Sequence, residues 1–184
     1  MEMGLYLIIS YFLGTCMTAW LVGRVSGVNL QTVNSGNLGA RNAGRALGKK
    51  AFIITVLGDG GKGVAIVFIG RFLGFSNTIV ALAVALCVIG HLYPFWLRFK
   101  GGKGVATCIG AMLFLSPTLF VGFIVGLLIG LLLTRSLTLS MIVGFFTYSL
   151  TIFVMDSIAY WPVLIAVVLV VWHHRQNIRE RVVK

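Results

Sequence analysis

Residues 104–133 read GVATCIGAMLFLSPTLFVGFIVGLLIGLLL, and the way they cross a bilayer decides the fold. The run is either one long kinked helix or two shorter helices turning at Ser116-Pro117. Charge separates the two readings. With two helices, Arg24, Arg41, Arg45, Lys49, Lys50, Arg98, Lys100, Lys103, Arg135, Arg175, Arg179, Arg181 and Lys184 fall on one side, and Glu2, Arg71 and Asp156 on the other. With one helix, Arg135 and the basic tail change sides. Lys and Arg collect on cytoplasmic loops, so the two-helix reading is preferred. It predicts an all-α integral membrane protein with seven transmembrane helices, the N-terminus outside and the C-terminus cytoplasmic, built as a single domain over 1–184.

The remaining spans follow from length. A bilayer core takes ~20 apolar residues per helix. Residues 4–23, 51–75, 77–97, 137–155 and 158–172 supply them, with GDGGKG (58–63) expected to interrupt the second. The first run begins after an acidic residue and is followed by no small-residue cleavage site, so it reads as a retained helix. The segment 105–115 rises only about 16 Å at ~1.5 Å per residue, so either the bilayer thins or the preceding FKGGKG loop enters it as irregular backbone lining a cavity.

Composition agrees. Of 184 residues, 59% are hydrophobic and 10% charged, against roughly 25% charged in a soluble domain. The net charge of +11 sits in short loops between apolar runs, which excludes nucleic acid as a partner and points to membrane lipid and anionic substrates. Cys16, Cys87 and Cys108 lie in apolar stretches without paired spacing, and the acids are only Glu2, Asp59, Asp156 and Glu180. No metal and no cofactor is therefore expected.

Two loops carry chemistry. The first, NSGNLGARNAGRALGKK (34–50), alternates Ser, Asn and Gly beside Arg41 and Arg45. Glycine lets backbone N–H groups approach an anion, and arginine offers a fork that fits phosphate oxygens. The second, GHLYPFWLRFKGGKGVAT (90–107), sets Lys103 between Gly102 and Gly104 just before an apolar helix, a ready anion site that lacks Walker A spacing. Its Tyr-Pro-Phe-Trp cluster reads as an interfacial aromatic belt. His91 serves as a helix cap, polar packing or an acid/base group. Asp59 and Lys62, three apart inside an apolar span, are an ion pair or a substrate site. GGKGVA occurs at 60–65 and 101–106 without wider similarity, so no duplication is inferred. The tail HHRQNIRERVVK (173–184) is expected to continue the last helix, with His174, Asn177 and Arg181 on one face.

The blocks SGNLGARNAGRALGKKA, DGGKG, GHLYPFWLRFKGGKGVAT, RSLTLS and HRQNIR resemble, in order and spacing, the signature blocks of the PlsY-type glycerol-3-phosphate acyltransferases. The resemblance implies a seven-span bacterial inner-membrane enzyme. It would move a fatty acyl group from acyl phosphate to position 1 of glycerol 3-phosphate, giving lysophosphatidate, with no direct use of acyl-CoA or acyl carrier protein. It assigns catalytic roles to Ser35, Arg45, Lys103 and His174. It assigns substrate binding to Asn37, Gly101, Gly102, Gly104, Ser140 and Asn177. One departure stands out: the first block commonly reads Gly-Ala-Thr-Asn, and here Arg41 replaces the threonine.

An acyl phosphate is already activated, so the protein need only juxtapose two anions and stabilise charge. No Ser-His-Asp arrangement is evident, which favours direct attack by the glycerol hydroxyl. A carrier or channel for a phosphorylated small molecule is the alternative, but it predicts basic residues at both mouths, and only Arg71 lies outside. A phosphatidyl-type transferase would need metal-binding carboxylates that the chain lacks.

Overall fold

The computed structural model describes residues 2–182, with the side chains of 180–182 left out, so Lys184 and the side chains of Glu180 and Arg181 lie outside the described residues. Apart from its turns and loops, the described chain is helical. The helices are α1 (Glu2–Gly14), α2 (Thr18–Val25), α3 (Ala40–Leu47), α4 (Lys49–Phe72), α5 (Asn77–Leu92), α6 (Val105–Leu115), α7 (Pro117–Thr134), α8 (Leu137–Val154), α9 (Val163–His173) and α10 (Arg175–Val182). Among the described residues four helical spans are long and apolar enough to cross a membrane, or five if α1 and α2, bent by 41°, count as one. The apolar helices α6 and α9 are shorter than that.

The run 104–133 does divide at Ser116. Ser116 ends α6 and caps α7, accepting the Leu119 N–H at 3.4 Å, with Pro117 at the first helical position where its missing N–H costs nothing. At the far end of α4, Arg71 donates to the Leu115 carbonyl at 2.7 Å and so satisfies the terminus of α6.

Expectation and structure differ at several places. GDGGKG does not interrupt α4, which runs unbroken from Lys49 to Phe72. Isolated glycines weaken a helix by up to ~1 kcal/mol each, but here they let neighbours in. A methyl at Gly58 would strike the Thr18 side chain, and one at Gly63 the Thr107 carbonyl, so α2 and α6 lie directly on the backbone of α4. Gly122, Gly126 and Gly130 seat Thr151, Thr147 and Ser140 in the same way and join α7 to α8. The tail also departs from expectation, since the helix breaks at His174 between α9 and α10. The first loop contains a short helix, α3, that the Gly- and Asn-rich sequence conceals.

The break between α1 and α2 is held by side chains from elsewhere in the chain, Trp96 and the buried Lys62. Three consecutive carbonyls there lack helical partners. Lys62 donates to those of Gly14 and Cys16, both at 2.8 Å, and Trp96 Nε1 donates to that of Thr15 at 3.1 Å. Apolar surroundings make an unpaired carbonyl costly, so the break persists because these donors are supplied. Trp96 also meets Trp20 edge-on, so a ring of the aromatic cluster expected to anchor in the interface also braces this break.

Candidate functional site

The site begins where α5 ends. After Leu92 the chain turns through Pro94 and a short 3-10 turn, Phe95–Leu97. Arg98 and Phe99 then take φ of 54° and 59°, a left-handed conformation that side chains disfavour. This reversal brings Gly101 and Gly102 back under α5, where their N–H groups donate to the Leu92 and His91 carbonyls, each at 3.1 Å. A methyl at Gly102 would collide with the His91 ring and the Leu38 carbonyl. The two glycines therefore act by allowing close approach, and their own N–H groups cap α5. Gly104, at φ 75°, is the N-cap of α6. Beyond it the first-turn N–H groups of Val105, Ala106 and Thr107 have no carbonyl within the helix. Val105 and Ala106 stand beside Lys103 at the wall of a cavity.

That cavity has a volume of about 580 Å³. Asn37, Arg41, Lys103, Thr138 and His174 are among its polar lining residues, with Asp59 and His91 deeper in. Its apolar walls are Phe52, Val56 and Leu57 of α4, Ile109 of α6, Phe123 and Leu127 of α7, and Leu137 and Met141 of α8. It occupies the gap between α4, which packs on α6, and α7, which packs on α8. A charged head and a long apolar tail are the shape and polarity it fits.

Each polar residue is placed by its own element. Lys103 is half-buried and donates to Asn177 Oδ1 on α10, which ties the glycine turn to the tail. His174 is buried at the α9–α10 break, and its Nδ1 pairs with the Val170 carbonyl at 2.8 Å. With Nδ1 as donor, Nε2 is an acceptor. Burial holds this imidazole below its ordinary pKa, with the Val170 hydrogen bond opposing it and the positive charges of Lys103 and Arg41 adding to it, which favours the neutral ring. Asn42, 1% exposed, shapes the first loop by donating to the Leu30 carbonyl at 2.8 Å and accepting the Ser35 N–H at 3.3 Å. Arg41 reaches across the mouth to Thr138 Oγ1 at 3.3 Å.

Of the residues expected from sequence, Asn37, Lys103, Gly104 and His174 line the cavity. Asn177 touches it through Lys103. Gly101 and Gly102 lie behind it. Ser35 and Arg45 have exposed side chains on the first loop and on α3 and are not in the lining. Ser140 is buried in the α7–α8 contact, donating to the Ser136 carbonyl at 2.7 Å. Sequence reasoning missed Thr138 and Asn42 as site-shaping residues; it read Arg41 as one of two phosphate-fitting arginines of the first loop and as a departure from the family block, without placing it at this cavity.

Behind the glycine turn lies a charged cluster. The Lys62 ammonium donates to His91 Nδ1 at 2.7 Å and pairs with Asp59 at 3.4 Å. Asp59 also accepts the Thr18 N–H at 3.4 Å. The expected ion pair is present, and Asp59 and His91 both reach the inner lining of the cavity. Among the described residues no three His, Cys, Asp or Glu side chains gather where a metal ion would be held.

The family model described as glycerol-3-phosphate acyltransferase matches residues 4–184. A glycerol-3-phosphate acyltransferase of Rubrobacter xylanophilus is 38% identical over 95% of this chain and 89% of its own length. One of Bacillus subtilis is 36% identical over 98% of this chain and 94% of its own. Among solved structures, PlsY, an integral membrane glycerol 3-phosphate acyltransferase, superposes in its glycerol 3-phosphate form with a TM-score of 0.86 at 30% identity, covering 97% of this chain and 91% of that one. Its lysophosphatidic acid form superposes with a TM-score of 0.84 at 28% identity.

Proposed function

We propose, because the chain belongs to the glycerol-3-phosphate acyltransferase family, that its cavity binds glycerol 3-phosphate beside an acyl phosphate and joins the acyl group to the position 1 hydroxyl. The chain is a multi-pass bacterial membrane acyltransferase of phospholipid synthesis. The donor, the acylated position, the side of the membrane and the residue roles are our reading. The observation that carries it is a single cavity with a cationic, glycine-turned mouth and an apolar gap behind.

In this mechanism the hydroxyl oxygen attacks the acyl carbonyl carbon. An ester C–O bond forms, the C–O bond to phosphate breaks, and inorganic phosphate leaves with the electron pair. The hydroxyl proton passes to an oxygen of the departing phosphate or to His174 Nε2. Lys103, with the first-turn N–H groups of α6, holds the glycerol 3-phosphate phosphate. Asn177 orients Lys103, and Asn37 contributes a short polar contact. Ser35 and Arg45, exposed beside the mouth, gather the anionic substrates from water, and Gly101, Gly102 and Gly104 give the turn its shape. Ser140 fixes the start of α8, where Thr138 meets the cavity. The apolar walls take the acyl chain.

For topology we propose that α1 with α2, and each of α4 to α9, crosses or enters the membrane, which makes seven segments. The N-terminus is then outside, and the loops that carry Arg41 and Lys103 face the cytoplasm together with the tail. Positive-inside sorting supports this reading.

The donor is tested with purified protein in detergent, given glycerol 3-phosphate and, in turn, acyl phosphate, acyl-CoA or acylated carrier protein. Lysophosphatidate is expected from acyl phosphate alone, with one inorganic phosphate released per product. Product from a thioester, and none from acyl phosphate, would remove the donor assignment.

A further inference from the structure

Two phosphoryl groups must occupy one cavity in the reaction proposed above, and the structure provides two separate cations for them. Lys103 belongs to the glycine turn and is tied to α10 through Asn177. Arg41 belongs to a different element, α3, and also lines the cavity, where Thr138 of α8 is its hydrogen-bond partner at 3.3 Å. Among the described residues no carboxylate lies within ion-pairing distance of Arg41, and Asp59, deeper in the same cavity, pairs with Lys62 at 3.4 Å. Thr138 stands between Leu137 and Met141 of the apolar wall along α8. Arg41 is thus the cation at the seam where the polar mouth passes into the apolar gap. A ligand with a phosphate and a hydrocarbon chain has to place its phosphate at such a seam. Glycerol 3-phosphate has no chain to place.

We propose that Arg41 is the specificity residue for the acyl donor, its guanidinium binding the donor's phosphate and keeping hold of it as inorganic phosphate when the acyl group departs. This rests on the acyl phosphate reading above. The guanidinium fork takes two oxygens of one phosphate, with the Thr138 contact giving way. Lys103 keeps the acceptor. The bonding changes are those already written: the carbonyl carbon leaves one phosphate oxygen for the glycerol oxygen, and the charge that develops on the departing phosphate falls on Arg41.

The test uses Arg41→Gln, which removes the charge and keeps a polar end on a shorter side chain, and Arg41→Lys, which keeps the charge without the fork. Initial rates are measured with acyl phosphate varied at saturating glycerol 3-phosphate, and the reverse, and with inorganic phosphate as inhibitor. Arg41→Gln is expected to raise the KM for acyl phosphate about tenfold and to weaken inorganic phosphate as its competitor by a similar factor. The KM for glycerol 3-phosphate should stay within about twofold of wild type, and Arg41→Lys should fall between. A KM change for glycerol 3-phosphate alone, equal changes for both substrates, or none would overturn the assignment. If Arg41→Gln does not purify as a folded protein, Arg41→Lys is judged by the same pattern at smaller amplitude. Wild-type protein inactive with acyl phosphate would refute the donor reading and this proposal with it, whereas active wild type with unaltered variants refutes only the proposal.

Discussion

Lys62→Met is expected to destabilise the folded protein by about 3–5 kcal/mol, the usual cost of removing one partner from a buried ion pair. The methionine fills a similar volume, so the loss is electrostatic. Asp59, 2% exposed, would lose its cation and keep only Thr18 and the His91 ring 3.8 Å away, and the Gly14 and Cys16 carbonyls would have no donor. Asp59→Asn should be milder, because Lys62 retains both carbonyls and His91. Thermal unfolding of the purified variants in detergent measures the difference. A Lys62→Met protein that melts with wild type would mean that the α1–α2 break needs no buried cation.

Lys103→Ala is expected to lower activity by one to two decades while the protein folds normally. A charge-assisted hydrogen bond lost in a partly dry site costs about 1.5–3 kcal/mol. If Lys103 mainly holds glycerol 3-phosphate, the loss appears as a raised KM for that substrate. If it mainly neutralises charge on the departing phosphate, it appears in kcat. Lys103→Arg should not rescue fully, since the wide planar fork needs more room than the turn between Gly102 and Gly104 provides. A basic residue that served topology alone would give an arginine variant equal to wild type. Steady-state kinetics on both substrates separate these outcomes, and unchanged kinetics in folded Lys103→Ala would end the phosphate assignment.

The apolar segments were legible because lipid demands long runs of one character, and the turn at Ser116-Pro117 because serine caps and proline starts a helix. The same local rules misread α4. Glycine's helix penalty is a property of an isolated helix, whereas Gly58 and Gly63 are set by what lies against them. The break at residues 15–17 contains neither proline nor glycine, and its support comes from Lys62 and Trp96, far along the chain. The site divides along the same line. Lys103 and Gly104 announced themselves by sitting next to each other at a helix start. Arg41 and Thr138 meet across 97 positions, and neither residue alone suggests the other. Gly101 and Gly102 were expected as phosphate donors because glycine-rich turns so often are. Their N–H groups instead serve the end of α5, which the sequence spacing does not reveal.

The claim on which the account depends is that both substrates occupy the one cavity together and the hydroxyl attacks the donor directly. Initial rates over a full matrix of acyl phosphate and glycerol 3-phosphate concentrations test it, alongside phosphate release from enzyme mixed rapidly with acyl phosphate alone. Intersecting double-reciprocal lines are expected, with no phosphate burst until glycerol 3-phosphate is added. Parallel lines with a burst stoichiometric with enzyme would show an acyl-enzyme and contradict it.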